Sequence, residues 1–314
     1  MDSSEKIPSR RGGAMRLIAH LGAIVTVSAW GMSFISTKVL MEEGGFTPVE
    51  MFSYRFACAY LLLLLLTCNK RLLSLNWKDE VSFMLCGICA GSLYFITENV
   101  ALLHTTAGNV SLLSAISPLF TTILMAVFYR MKIKSGVILG SLIAFVGVGC
   151  VVFSSGTGLE IHPLGDLLAL SSAMSWAIYS ILVKRLIPLY NSFFITRKLF
   201  LYGVLSSLPI LLTQDEPYHI AELFDLSHPQ YILNFMFLVL MCSVAAYLIW
   251  NESMKALGQV TANNYLYGQP IVTMVVAAFI FHDPVTLLGV CGCILIISGL
   301  IISDKVSEIR LRRR

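Results

Sequence analysis

Residues 250–252 read Trp-Asn-Glu at the end of a long apolar run, and residues 98–99 read Glu-Asn in equally apolar surroundings. A carboxylate in hydrocarbon is costly unless it pairs with a cation, takes up a proton or meets a polar ligand. Arg55 and Arg197 stand in comparable runs. The chemistry on offer is intramembrane charge pairing, Arg55 with Glu98 and Arg197 with Glu252. Counting along the expected helices puts the first pair about 9–12 Å below one membrane surface and the second about as far from the other. Such pairs either lock neighbouring helices together or leave one carboxylate to accept a proton or a substrate amine.

Other polar residues gather around two prolines. Ser114, Ser117, Pro118 and Thr121 follow the i, i+3, i+4, i+7 spacing of one helix face. Asn263, Asn264, Tyr267 and Gln269 surround Pro270 in a second segment, and an amide in hydrocarbon needs partners. Each proline removes a backbone donor and frees a carbonyl one turn earlier, so Pro118 and Pro270 are expected helix breaks whose backbone can line a cavity. Hydroxyls bonding back to their own helix explain the serine and threonine stripe equally well. Trp30, Ser33, Phe34, Trp176 and Tyr179 supply stacking surface for a ligand if they face inward, and Asn99 joins that set. Tryptophan also anchors at membrane interfaces without any ligand.

The elements that position these residues follow from hydropathy. The chain has 314 residues, 57% of them hydrophobic and 13% charged, and a mean hydropathy of +0.79, so it has too little polar surface for a water-soluble globule. A crossing needs about 20 mostly apolar residues. Ten segments qualify, near residues 17–40, 47–68, 80–104, 107–129, 134–154, 164–186, 190–213, 230–256, 260–281 and 285–304. Their length and short polar gaps indicate an all-α polytopic membrane protein with membrane lipid around it, not an alternating β-barrel. With the N-terminus cytoplasmic, 18 of the 22 lysines and arginines fall on the inner side, which sets both termini inside. The apolar run after the basic opening is too long for a signal-peptide core, so the first helix is expected to stay.

Self-comparison reveals a repeat. A shift of 152 residues sets Asn99 on Asn251, Pro118 on Pro270, Thr121 on Thr273, Gly140 on Gly292 and Gly147 on Gly299. With a small change in loop length, "SAWGMSFISTKVL" matches "AMSWAIYSILVKRL", pairing Trp30 with Trp176, and "MFSYRF" matches "FFITRK", pairing Arg55 with Arg197. Five helices per unit make the second half enter from the opposite side, giving two inverted five-helix repeats. The expected divisions are a cytoplasmic tail over 1–16, repeats over 17–154 and 164–304, and a basic cytoplasmic tail over 305–314.

With this layout, "AWGMSF" in the first helix, "YRF" in the second, the prolines of the fourth and ninth and the closing "FHDPVTLLGVCGCILIISGLII" resemble the drug/metabolite transporter superfamily in its EamA branch. The similarity covers nearly the whole chain. Members usually end the ninth helix in a Gly-Glu-Pro-like turn, where this chain has His282-Asp283-Pro284. The resemblance implies a basket-like bundle with a central cavity that moves small metabolites, often amino acids and often outward, by alternating access in the cell (inner) membrane. Proton coupling and counter-substrate exchange both stay open. Nucleotide-sugar and sugar-phosphate exchangers of the same superfamily are an alternative that needs cavity-facing cations such as Lys198 or Lys255.

Other chemistries find little support. There is no GxxxxGK[ST] loop, HExxH or GxSxG, which weakens ATP-driven transport and a membrane-embedded enzyme. A membrane scaffold is the remaining alternative class. Basic residues are scattered, so nucleic acid is not expected as a partner. The eight cysteines lie in apolar segments and the six histidines are dispersed, so neither disulfide framework, metal site nor cofactor is indicated. Oligomeric state is left open.

Overall fold

The computed structural model describes residues 10–67, 72–105, 107–154, 162–215, 217–280 and 285–308. Most of the N-terminal tail, the terminal arginine cluster and the His282-Asp283-Pro284 turn lie outside the described residues. Among the described residues there is no strand.

The helices are α1 (Arg10–Glu42), α2 (Pro48–Leu66), α3 (Trp77–Gly87), α4 (Leu93–His104), α5 (Ala107–Ser114), α6 (Ser117–Phe128), α7 (Ser135–Ser154), α8 (Pro163–Leu186), α9 (Ser192–Leu212), α10 (Pro229–Phe237), α11 (Ala246–Leu257), α12 (Gln259–Asn264), α13 (Gln269–Ile280) and α14 (Leu287–Glu308). Local sequence sets several of their starts. Thr47 and Glu50 form a reciprocal capping box ahead of α2, with Pro48 in its first turn. Asn76 and Asn191 accept from the backbone N–H three residues on and so cap α3 and α9.

Among the described residues, eight helical stretches are long and apolar enough to cross a membrane. Two of them pass through a π-helical turn, α3 to α4 through Ile88–Ser92, where the backbone kinks at Gly91, and α10 to α11 through Leu238–Ala245. In the register that sets Asn99 on Asn251, the first π turn falls inside the second. The fourth and ninth expected spans are not single unbroken α-helices. The fourth is interrupted between Ser114 and Ser117, and the ninth passes through a 3-10 turn at Tyr265–Gly268. Pro118 and Pro270 each stand in the first turn of the restarted helix, where a missing N–H costs nothing.

The two repeats are inverted, and close contacts show it. A Cβ on Gly140 would lie 2.5 Å from the Gly299 carbonyl, and one on Gly147 would lie 2.7 Å from that of Gly292. The partner number falls as the residue number rises, so α7 and α14 run antiparallel with their backbones nearly touching. Likewise Ser53 meets Ser207 at 2.9 Å while Phe56 packs on Phe200 at 4.5 Å, making α2 and α9 antiparallel. These helices are repeat twins. The remaining packing obeys the same exchange, since α1 lies on α11 and α13 as α8 lies on α4 and α6. Each half therefore buries its apolar faces against the other.

Polar clasps close both ends of the bundle. At one end the buried Glu50 carboxylate accepts from the N–H of Thr47 and His219 and from Tyr54 Oη, at 2.9, 2.8 and 3.1 Å, tying the segment after α9 to α2. At the other, Asp79 accepts from Arg185 at 3.2 Å and Tyr190 at 2.8 Å, and Glu80 pairs with Lys198 and Tyr202.

Candidate functional site

The core of the molecule is aromatic. Trp30 of α1 packs against Trp176 of α8 and against Tyr247 and Trp250 of α11, with ring centroids 5.4, 5.4 and 5.1 Å apart. Trp176 also meets Tyr94 and Tyr179 at 5.5 and 5.2 Å. All of these but Tyr94 are buried. The π turns help hold this cluster. A π-helical turn leaves carbonyls outside the regular i to i−4 ladder, free to accept from side chains. Trp30 Nε1 donates to Cys242 O at 2.8 Å, and Tyr247 Oη donates to Ala90 O at 3.2 Å. Those two carbonyls are repeat equivalents, so each half supplies a backbone acceptor to an aromatic ring of the other.

An amide network surrounds the rings. Trp176 Nε1 and Ser180 Oγ donate to Asn263 Oδ1 at 2.8 and 3.2 Å, while Asn263 Nδ2 returns to Gln259 O at 2.8 Å. Asn251 donates to Thr196 at 3.0 Å and accepts from Tyr179 at 3.4 Å. Buried amides with their hydrogen bonds met rigidify such a centre. Among the described residues, the buried atoms without a hydrogen-bond partner include Trp250 Nε1, Ser117 Oγ and Thr121 Oγ1.

Arg55 and Glu98 lie beside the aromatic cluster, 5 and 6% exposed, and Asn99, the next residue in α4, is 7% exposed. The expected Arg55–Glu98 ion pair does not form, because no Arg55 nitrogen comes within 4.0 Å of a carboxylate among the described residues. Instead Arg55 Nε donates to Ser243 Oγ at 2.6 Å, and Ser243 in turn donates to Leu238 O across the π turn. Glu98 accepts from Tyr94 Oη at 2.8 Å, with Ser114 beside it. The second expected pair is corrected too. Arg197 Nη1 donates to Thr67 Oγ1 at 2.7 Å, whereas Glu252 is exposed, accepts from Ser192 and lies 3.9 Å from Lys255.

Among the stacking and amide residues expected from the sequence, the fold brings together Trp30, Trp176, Tyr179 and Asn263, and it sets Ser114 against Glu98 and Ser172. It does not gather the rest. Phe34 is 40% exposed and Ser33 bonds back to Trp30 O in its own helix. Asn264 spans Ser141 and Ser303, and Tyr267 packs with Val148, Val151 and Ile296, so both support the α7–α14 layer. The Gln269 carbonyl would lie 3.0 Å from a Cβ at Gly31, a helix-packing contact. Sequence reasoning missed Tyr94, Ser243, Tyr247 and Trp250. Gly91 and Ser243 inside apolar runs were the only visible hints of the π turns. A groove lined by Met32, Ile35, Ser36, Asn234, Phe237 and Val276 is largely apolar and separate from this centre.

An inverted two-repeat helical layout around a buried aromatic and charged centre is the architecture of a polytopic membrane transporter. Residues 17–153 and 163–303 each match the EamA-like transporter family, and the chain belongs to that family. It is 29% identical over 280 residues to an uncharacterized transporter of Archaeoglobus fulgidus, covering 88% of this chain and 95% of the relative. It is 24% identical to a probable terminal-alkyne amino-acid exporter of Streptantibioticus cattleyicolor, covering 93% of this chain and 95% of that one. A probable amino-acid metabolite efflux pump of Salmonella typhimurium is 22% identical, with 93% and 95% covered. A solved crystal structure superposes with a TM-score of 0.74 at 18% identity, covering 95% of this chain and 99% of its own, and supports the fold. The family and these relatives point to a transporter, not an enzyme.

Proposed function

We propose that the chain is a secondary transporter that carries a small metabolite of the amino-acid type outward by alternating access. In this reading it sits in the cell (inner) membrane with both termini cytoplasmic, and its ten segments rock as two inverted halves about the centre. The observation that carries it is the set of buried polar groups, Arg55, Glu98 and Trp250 Nε1, beside the Trp30–Trp176–Tyr247–Trp250 cluster where the halves meet. Charge at such depth is costly and marks a substrate or ion path. The exporter names of two relatives support the substrate class and the direction.

The sugar-phosphate alternative loses support, because Lys198 is held by Glu80 and Lys255 is exposed beside Glu252. The test is counterflow in liposomes containing this protein alone. Vesicles preloaded with one amino acid should accumulate its labelled form with no imposed gradient. If no metabolite in a broad amino-acid panel exchanges, the transport reading falls. A requirement for a proton gradient would favour proton coupling over obligate exchange.

A further inference from the structure

We infer that Arg55 and Glu98 form a two-sided clamp for a zwitterion, an α-amino acid with an uncharged side chain, whose carboxylate takes Arg55 and whose ammonium takes Glu98. This rests on the transport reading above and names the substrate class of that site. The two residues are each more than nine-tenths buried and are a base and an acid, yet no Arg55 nitrogen lies within 4.0 Å of Glu98. Two helices locked by an ion pair would close that gap, since a buried charge gains most from direct contact.

The guanidinium is aimed. Its Nε is pinned by Ser243, and Phe95 and Phe56 stand 5.3 and 5.9 Å from its carbon. Its two terminal nitrogens have no protein acceptor among the described residues. That free fork matches a carboxylate with two parallel hydrogen bonds. Glu98 is likewise held from one side by Tyr94, and it meets no cation among the described residues.

The electrostatics select the ligand. A purely cationic ligand would leave Arg55 unmatched, and a purely anionic one would leave Glu98 unmatched, whereas a zwitterion neutralises both without changing the net charge of the centre. Tyr94 links Glu98 to the Trp176 ring, and Phe56 lies 6.0 Å from Tyr247, so an uncharged, apolar side chain has the aromatic cluster to pack against.

The test is calorimetric titration of the purified full-length protein in detergent. The probes are leucine, methionine, phenylalanine and tryptophan, each beside the amine lacking its carboxylate and the acid lacking its ammonium. At least one zwitterion should bind, and removing either charged group should weaken it about tenfold or more. Arg55→Gln should erase the preference over the amine and keep that over the acid, and Glu98→Gln should do the reverse. Monodisperse variants that retain both preferences overturn the clamp. If the variants aggregate, the wild-type series decides, because an amine or acid that binds as tightly as its zwitterion overturns it. If none of these zwitterions binds while counterflow finds another substrate, the clamp falls and the transport reading stands.

Discussion

Lys198 and Glu80 show what the membrane interior demands of single residues. Their side chains are 5 and 14% exposed, and Tyr202 and the Ser74 N–H also donate to Glu80. Removing one member of a buried pair strands the other charge, whereas removing both does not. Lys198→Met should therefore lower stability by about 3 kcal/mol, and adding Glu80→Leu should restore most of it, as read by thermal unfolding in detergent. An unchanged midpoint in the single variant would mean water already screens the pair. Arg55 illustrates the same demand with a different outcome. Its need for partners is visible from its apolar flanks, but the partner it takes, Ser243, is presented by a π turn that no local pattern announces.

At the scale of elements, α7 and α14 depend on having no side chain where they cross. A Cβ on Gly147 would lie 2.7 Å from Gly292 O, while one on Gly149 would meet nothing closer than 3.8 Å. Gly147→Val should push the two helices apart and sharply reduce the yield of monodisperse protein, and Gly149→Ala should leave it near wild type. Size-exclusion chromatography separates these outcomes, and equal behaviour of both variants would contradict the close crossing. The repeat register sets Gly140 on Gly292 and Gly147 on Gly299, whereas the contacts pair Gly140 with Gly299 and Gly147 with Gly292. That exchange is what a two-fold relation between antiparallel twins requires. The breaks near Pro118 and Pro270 were legible because proline acts on its own backbone; the π turns were not, because they arise from packing between rods.

For the whole molecule, the distribution of lysine and arginine predicts the sides of the membrane. Ser227, in the segment between α9 and α10, and Lys132, between α6 and α7, should lie on opposite faces, with Ser227 outside. In intact cells, a membrane-impermeant maleimide should label Ser227→Cys and not Lys132→Cys, and the opposite pattern would reverse the proposed orientation. Inversion also explains why the two ends of the bundle are closed by different chemistry. Related segments face opposite solvents, so Glu50 with His219 serves one end and Asp79 with Arg185 the other.

Apolar spans, their punctuation by proline and glycine, and the internal repeat are one-dimensional properties, and they alone determined an all-helical membrane protein built from two related halves. Tertiary structure decided which polar groups meet. It gave Arg55 to Ser243, Arg197 to Thr67 and Asn264 to the supporting α7–α14 layer, and it placed Tyr247 and Trp250 at the centre. The physical reason is that lipid requires every buried polar group to find a partner, while the choice of partner depends on how helices distant in sequence cross.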